Sequence, residues 1–160
     1  MDPSSFSALV LACAPLVHPS TAQALVAVES SFNPHAIGVV GGALERQPRN
    51  HAEALATVQA LQTQGWSFSV GLAQINSRNF ERLGLTPDTA LDPCQNLSAM
   101  QAVLSECLAR AAYGGPGQVA LRMALSCYYS GNFVTGFEHG YVQRVARASA
   151  SGRTAPAAVP

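Results

Sequence analysis

The chain has 160 residues, 48% of them hydrophobic and 11% charged, which is enough to bury one core and too few for two ordinary domains. Nine basic residues, all arginine, balance nine acids for a formal net charge of zero. That balance excludes the basic excess a nucleic-acid binder needs to neutralise phosphate.

The first apolar run, Phe6 to Val17, is interrupted by Ser7 and Pro15 and falls short of the roughly 20 residues a membrane span requires, so no span is expected. Ahead of it, Met1-Asp2-Pro3-Ser4 carries an acid and no base, unlike the leader of a secretory signal, and no export signal is expected in this chain. Pro19-Ser20-Thr21-Ala22-Gln23 predicts a helix start. Ser20 and Gln23 stand at capping-box spacing, and Leu25, Val28 and Phe32 follow at helical intervals until Asn33-Pro34. Glu29 then falls in the last turn of an otherwise apolar helix. In Ile37 to Leu44, the pair Gly41-Gly42 between two short apolar segments predicts a tight hairpin and the start of a small sheet.

Asn50 and Glu53 repeat the helix-start spacing, and Leu55, Val58 and Leu61 supply the stripe of a helix that Gly65 closes before Trp66. Ser67 to Val70 alternates like a short strand. Gly71-Leu72-Ala73-Gln74-Ile75-Asn76 is expected to lead into a short helix closed by Gly84. Leu97, Met100, Leu104, Leu108 and Ala111 mark a long buried helix, and Val119 to Tyr129 is its partner after the glycine-rich turn Tyr113 to Gly117. From Ser149 onward, Ala, Ser, Pro, Gly, Thr, Val and one Arg predict a flexible tail over 149–160, leaving 1–148 as the domain.

Four cysteines, Cys13, Cys94, Cys107 and Cys127, lack the close pairs of a zinc site. Cys94 and Cys107 are separated along one helix by roughly 18 Å, beyond the ~7 Å a disulfide tolerates. Cys107 and Cys127 lie on helices that fold back on each other, which leaves Cys13 for Cys94. Two disulfides in that connectivity imply an oxidising compartment.

Glu29 is the residue that demands a chemical explanation. Desolvation among Leu25, Val26 and Phe32 disfavours its carboxylate, the negative end of the helix dipole disfavours it further, and no cation lies near in sequence. All three raise its pKa, and a carboxylic acid protonated near neutrality is what a glycosidase needs to protonate a departing sugar oxygen. The bland alternative is an acid leaning out to solvent at a helix end.

Four motifs weigh against that alternative. Glu29-Ser30-Ser31-Phe32-Asn33-Pro34, Gly71-Leu72-Ala73-Gln74-Ile75-Asn76, Cys127-Tyr128-Tyr129-Ser130-Gly131-Asn132 and Gly140-Tyr141-Val142, in that order, resemble the motif set of the lytic transglycosylases with the soluble-lytic-transglycosylase, goose-lysozyme-like fold. The branch associated with type IV secretion is the most similar, on the strength of Cys13-Ala14-Pro15, Ile37 to Leu44 and Cys-Tyr-Tyr-Ser-Gly-Asn. The resemblance spans roughly Cys13 to Arg147. It implies a mostly helical α+β, lysozyme-like fold with a small β-hairpin region beside a cleft. It also implies peptidoglycan glycan strands as substrate, other type IV secretion components as partners, a periplasmic location, and neither cofactor nor metal.

Residue by residue, Glu29 matches the family's catalytic acid, Gln74 the glutamine facing the sugar, Tyr128 the tyrosine near the catalytic carboxyl, and Tyr141 a tyrosine at the cleft. Gly71 matches a glycine that lets substrate approach the backbone. Two departures stand out. Tyr129 replaces the asparagine of the usual Ala-Tyr-Asn-Ala-Gly, which removes its amide. Ala73 replaces the methionine of Gly-Leu-Met-Gln, which is expected to leave room beside the sugar.

Two-carboxylate glycosidases place a second acid about 5 to 9 Å from the first; the family dispenses with it. In the implied mechanism Glu29 protonates the oxygen between N-acetylmuramic acid and N-acetylglucosamine. The muramoyl 6-hydroxyl then attacks its own anomeric carbon, giving a 1,6-anhydromuramoyl end. A hydrolytic lysozyme needs a second carboxylate, for which Glu138 is the nearest candidate; a glycan-binding scaffold of the secretion apparatus needs no acid at all. The other acids read as solvated surface, and His18, His35, His51 and His139 lack metal spacing. Trp66, Tyr113 and Phe137 are candidate sugar-stacking faces, although burial is the more usual fate of an aromatic.

Overall fold

The computed structural model describes residues 1–111 and 117–150. Its first helix, α1 (Pro3–Cys13), is absent from the sequence reading. Asp2 caps it by accepting from the Ser4 and Ser5 N–H groups, and Phe6, Val10 and Cys13 form its buried stripe. The helix α2 (Pro19–Ser30) starts two residues earlier than the capping-box spacing predicts, because Pro19 is preset for the first helical position. His18 is the cap, accepting from the Ser20 N–H at 3.2 Å, and Gln23 reaches out to Ser7 instead of back. Glu29 sits in the last turn of α2, as expected.

The Gly41-Gly42 hairpin does not form. The strand β1 (Ile37–Val39) pairs antiparallel with β2 (Phe68–Val70), Ile37 opposite Val70 and Val39 opposite Phe68. Between them runs α3 (His51–Thr63), capped by Asn50 as expected and closed before Gly65. β2 pairs in turn with β3 (Ile75–Asn76), Val70 opposite Ile75. The segment Gly71 to Gln74 is therefore the turn of a hairpin and not a lead into a helix. Only a short 3-10 turn, Ser77–Asn79, follows it, capped by the Asn76 side chain. The helix α4 (Pro87–Leu91) was also unforeseen; its reciprocal capping box uses Thr89 where the usual signal has Glu or Gln.

The long helix α5 (Pro93–Ala111) packs chiefly against α6 (Gln118–Ser130), and α2 packs against α8 (Tyr141–Ala150), with the short α7 (Thr135–Glu138) between α6 and α8. Cys107 takes the buried position that Leu108 was expected to fill; Leu108 is 42% exposed. The helix α8 continues through Ser149 and Ala150, two residues into the expected tail, and 151–160 lie outside the described residues. So does most of the Tyr113 to Gly117 turn, including Tyr113 itself. One continuous core joins Phe6, Leu25, Val26, Phe68, Leu97 and Met100 in a mostly helical α+β fold with a three-stranded antiparallel sheet. Among the described residues, no helix is long and apolar enough to cross a membrane.

Both expected disulfides form: Cys13–Cys94 ties α1 to the start of α5, and Cys107–Cys127 ties α5 to α6. They close loops of very different length, with sequence separations of 81 and 20. Chain entropy then assigns about 4 to 5 kcal/mol to the first and about 3 kcal/mol to the second. Paired Cys→Ser variants, compared by urea denaturation, are expected to lose stability in that order. Equal losses would mean that structure surviving in the unfolded chain outweighs loop length.

Candidate active site

Beside the sheet lies a cleft of about 290 Å³ that brings Glu29 of α2 together with Val39, Val40 and Gln74 of the sheet region and Tyr128 and Tyr129 of α6. Its position follows from the Gly71 to Gln74 turn. The Ser30 hydroxyl donates to the Leu72 carbonyl at 2.7 Å, the Tyr128 hydroxyl donates to the Ala73 carbonyl at 2.7 Å, and the Ala73 N–H donates to Asn96 Oδ1 at 2.8 Å. Three helices thus grip one turn. Asn96 is fully buried and also donates to the Val70 and Ala90 carbonyls. The sequence reading missed Asn96, although a signal was there: it is the polar member of the buried stripe that continues through Met100, Leu104 and Cys107.

Glu29 is partly accessible from the cleft and otherwise enclosed. Burial pushes its pKa from 4.5 up to about 7, against a hydrogen bond from Tyr141 and the charge of Arg144, which both pull it down. The Tyr141 hydroxyl donates to Glu29 Oε1 at 2.7 Å. Arg144, one helical turn beyond Tyr141 on α8, is the cation that sequence proximity did not reveal. Burial, and after it the charge of Glu29, raises the pKa of both Tyr128 and Tyr141, so both remain neutral donors.

The expected site residues divide into two groups. Glu29, Gln74 and Tyr128 line the cleft together. Gln74 holds a positive φ of 50°, and its amide nitrogen donates to the Ala36 and Gly71 carbonyls at 3.0 Å each, leaving Oε1 as its free acceptor. A side chain at Gly38 would press on that oxygen. Tyr141 does not line the cleft: it is 2% exposed and stacks beneath Tyr129 with ring centroids 4.6 Å apart. Its contact is with Glu29. Gly71 does not line the cleft either; it turns at a positive φ of 80°, and a Cβ there would collide with the Asn96 amide. Glycine is required for packing at that position. Ala73 is fully buried, so the small side chain adds no room beside a sugar.

Tyr129 was seen only as a lost asparagine. In the fold it lines the cleft, covers Tyr141 and hydrogen-bonds His139 Nδ1 at 2.9 Å. Glu138 is exposed and outside the cleft, and Glu29 is the one acid among the described residues that line it. Trp66 is 44% exposed against the Gly42 turn, whereas Phe137 packs against the core.

Strain gathers at the same place. Ser31, Phe32 and Gln74 are the non-glycine residues with positive φ among those described, two directly after the Glu29 turn and one in the hairpin. Phe32 is held there by an edge-to-face contact with Phe6 at 5.1 Å.

The chain matches the transglycosylase SLT domain over residues 8–149. It is 50% identical over 161 residues to a type IV secretion system protein virB1 of Brucella suis biovar 1, covering 96% of this chain and 67% of that protein. A virB1 protein of Rhizobium radiobacter is 42% identical over 153 residues, 94% of this chain and 63% of its own length. Another, from Agrobacterium fabrum, is 42% identical over 148 residues, 91% of this chain and 60% of its own. No solved structure matches the chain.

Two outcomes follow from the carboxyl. Its folded pKa of about 7 lies above the usual 4.5, so the folded state holds the proton more tightly and loses stability as pH rises through that window. Glu29→Gln removes this loss, and is expected to be the more stable protein at pH 8 by about 2 to 3 kcal/mol, with the difference vanishing below pH ~4 in denaturant titrations. Tyr141→Phe removes a donor to the carboxylate and is expected to move the Glu29 titration further up, read by carbon NMR of the labelled side chain. A downward or null shift would remove Tyr141 from the site.

Proposed function

The chain belongs to the transglycosylase SLT family, and we propose that it is a peptidoglycan lytic transglycosylase in which Glu29 serves first as acid and then as base. The observation that carries this reading is a carboxyl with a pKa near 7, opening into a cleft beside Gln74 and Tyr128. At neutral pH a large fraction of Glu29 is protonated and can donate to the glycosidic oxygen between N-acetylmuramic acid and N-acetylglucosamine. As that bond breaks, positive charge grows at the anomeric carbon, where the substrate's own acetamido group stabilises it. The muramoyl 6-hydroxyl attacks the same carbon, and Glu29, now ionised, takes the hydroxyl proton. The glycosidic bond is broken, the 1,6-anhydro bond is formed, and Glu29 ends protonated.

The remaining groups suit that cycle. Tyr141 and Arg144 stabilise the ionised form of Glu29 halfway through, without which burial would make it too poor an acid. Gln74 Oε1 can accept from a sugar hydroxyl or acetamido N–H. Intramolecular attack needs no activated water, because the hydroxyl is already held close. A hydrolytic lysozyme would need a second carboxylate near Glu29, and none of the described cleft residues supplies one. A scaffold would gain nothing from an acid whose burial lowers stability at neutral pH.

The two disulfides favour an oxidising compartment, and we place the protein in the periplasm. The names of its relatives favour a role in opening the cell wall for a type IV secretion apparatus.

Digestion of purified sacculi tests the reaction. Mass spectrometry is expected to find 1,6-anhydromuramoyl ends, with Glu29→Gln slowing their release by about a thousandfold. Reducing ends would support hydrolysis instead, and no release by the native chain would leave only a binding protein. The native rate is expected to fall tenfold per pH unit above about 7, as the acid form of Glu29 is depleted.

A further inference from the structure

Past Tyr128 and Tyr129 the cleft continues into a second lobe of about 460 Å³, which shares Asn76, Asn79 and Val103 with the first. Its charge is uneven: Arg78, Arg82 and Arg110 line it with a single acid, Glu106. Arg82 Nη1 contacts both Glu106 oxygens, at 2.6 and 2.7 Å, so that pair is neutral. Arg110 leans over Phe133 with its two terminal nitrogens toward Cys127 Sγ and the Gly131 carbonyl, neither of which cancels its charge. No described carboxylate lining this lobe stands against Arg78 or Arg110. Two positive charges therefore remain in a groove continuous with Glu29, although the chain as a whole is neutral.

In a strand that bears peptides the lactoyl carboxyl of each muramic acid is taken up in an amide, so the anionic part of the polymer is the peptide stem, which carries free carboxylates. We propose that this lobe receives stem carboxylates on Arg78, with Arg110 adding to the field, so that the enzyme prefers strands that still bear peptides. This rests on the transglycosylase reading for the identity of the polymer. Arginine suits the role because its planar fork can hold a carboxylate through two hydrogen bonds, and an exposed charge-assisted contact of this kind is worth about five- to tenfold in affinity.

The test compares soluble glycan strands with their stems intact against the same strands stripped by an amidase and then capped as neutral amides at the lactoyl carboxyl that stripping exposes. Binding is measured by calorimetry with Glu29→Gln, and cleavage with the active chain. At low salt the expected preference for stem-bearing strands is about five- to tenfold in binding, shrinking as salt rises. Arg78→Gln is expected to collapse that ratio toward one, and Arg78→Lys to restore part of it. Equal affinity of the parent for both strands, or a ratio unchanged by Arg78→Gln, overturns the proposal. Stem preference in binding without cleavage of either strand would sink the transglycosylase reading while leaving the lobe in place.

Discussion

The turn from Gly71 to Gln74 is the joint on which the site depends. It is buried, and a buried turn must find partners for backbone groups that water cannot reach. Ser30, Asn96 and Tyr128 supply them from α2, α5 and α6. Each partner is worth only about 1 kcal/mol net when formed, but an orphaned group costs about 1 to 3 kcal/mol, so the three helices are held in register chiefly by what their departure would expose. Ser30 follows Glu29 directly, and Tyr128 borders the cleft. The bonds that satisfy the turn therefore also set the distance between the acid and the opposite wall.

Glu29 is fixed by this frame in surroundings that its charge resists. Burial outweighs Tyr141 and Arg144 together, and the balance lies near neutrality. With neither of those partners the carboxyl would hold its proton too tightly to return as a base; with more solvent it would be ionised and unable to donate. The same balance lowers stability above the usual glutamate range. The apolar core and two disulfides offset that loss, and strained backbone at Ser31, Phe32 and Gln74 adds to it.

Much of this was legible because it is local or strongly periodic. The apolar intervals of α2 and α6, the Asn50 cap and the spacing of the four cysteines each depend on residues close together or on helix geometry. The sheet was misread because pairing is a long-range choice. Gly41-Gly42 permits a hairpin, but Val39 finds a better partner in Phe68, across the whole of α3. Tyr141 and Gly71 were assigned to substrate because motif order says that residues share a site without saying which of them face it. Arg144 and Asn96 act across the fold, and only the second left a trace, as a polar residue on a buried stripe.

The two departures from the usual motifs take their meaning from packing. Ala73 points into the core, where its backbone N–H and carbonyl are both engaged, so its size bears on the fit of the turn against α5 and not on the sugar. Tyr129 has the opposite role. It lies over Tyr141 at the cleft wall and is anchored by His139, so its ring stands between solvent and the partner of Glu29. An asparagine there would offer a hydrogen bond to substrate but little cover for that tyrosine. The chain thus exchanges an amide contact for a drier Glu29–Tyr141 pair, and a drier pair is what keeps the carboxyl near neutrality.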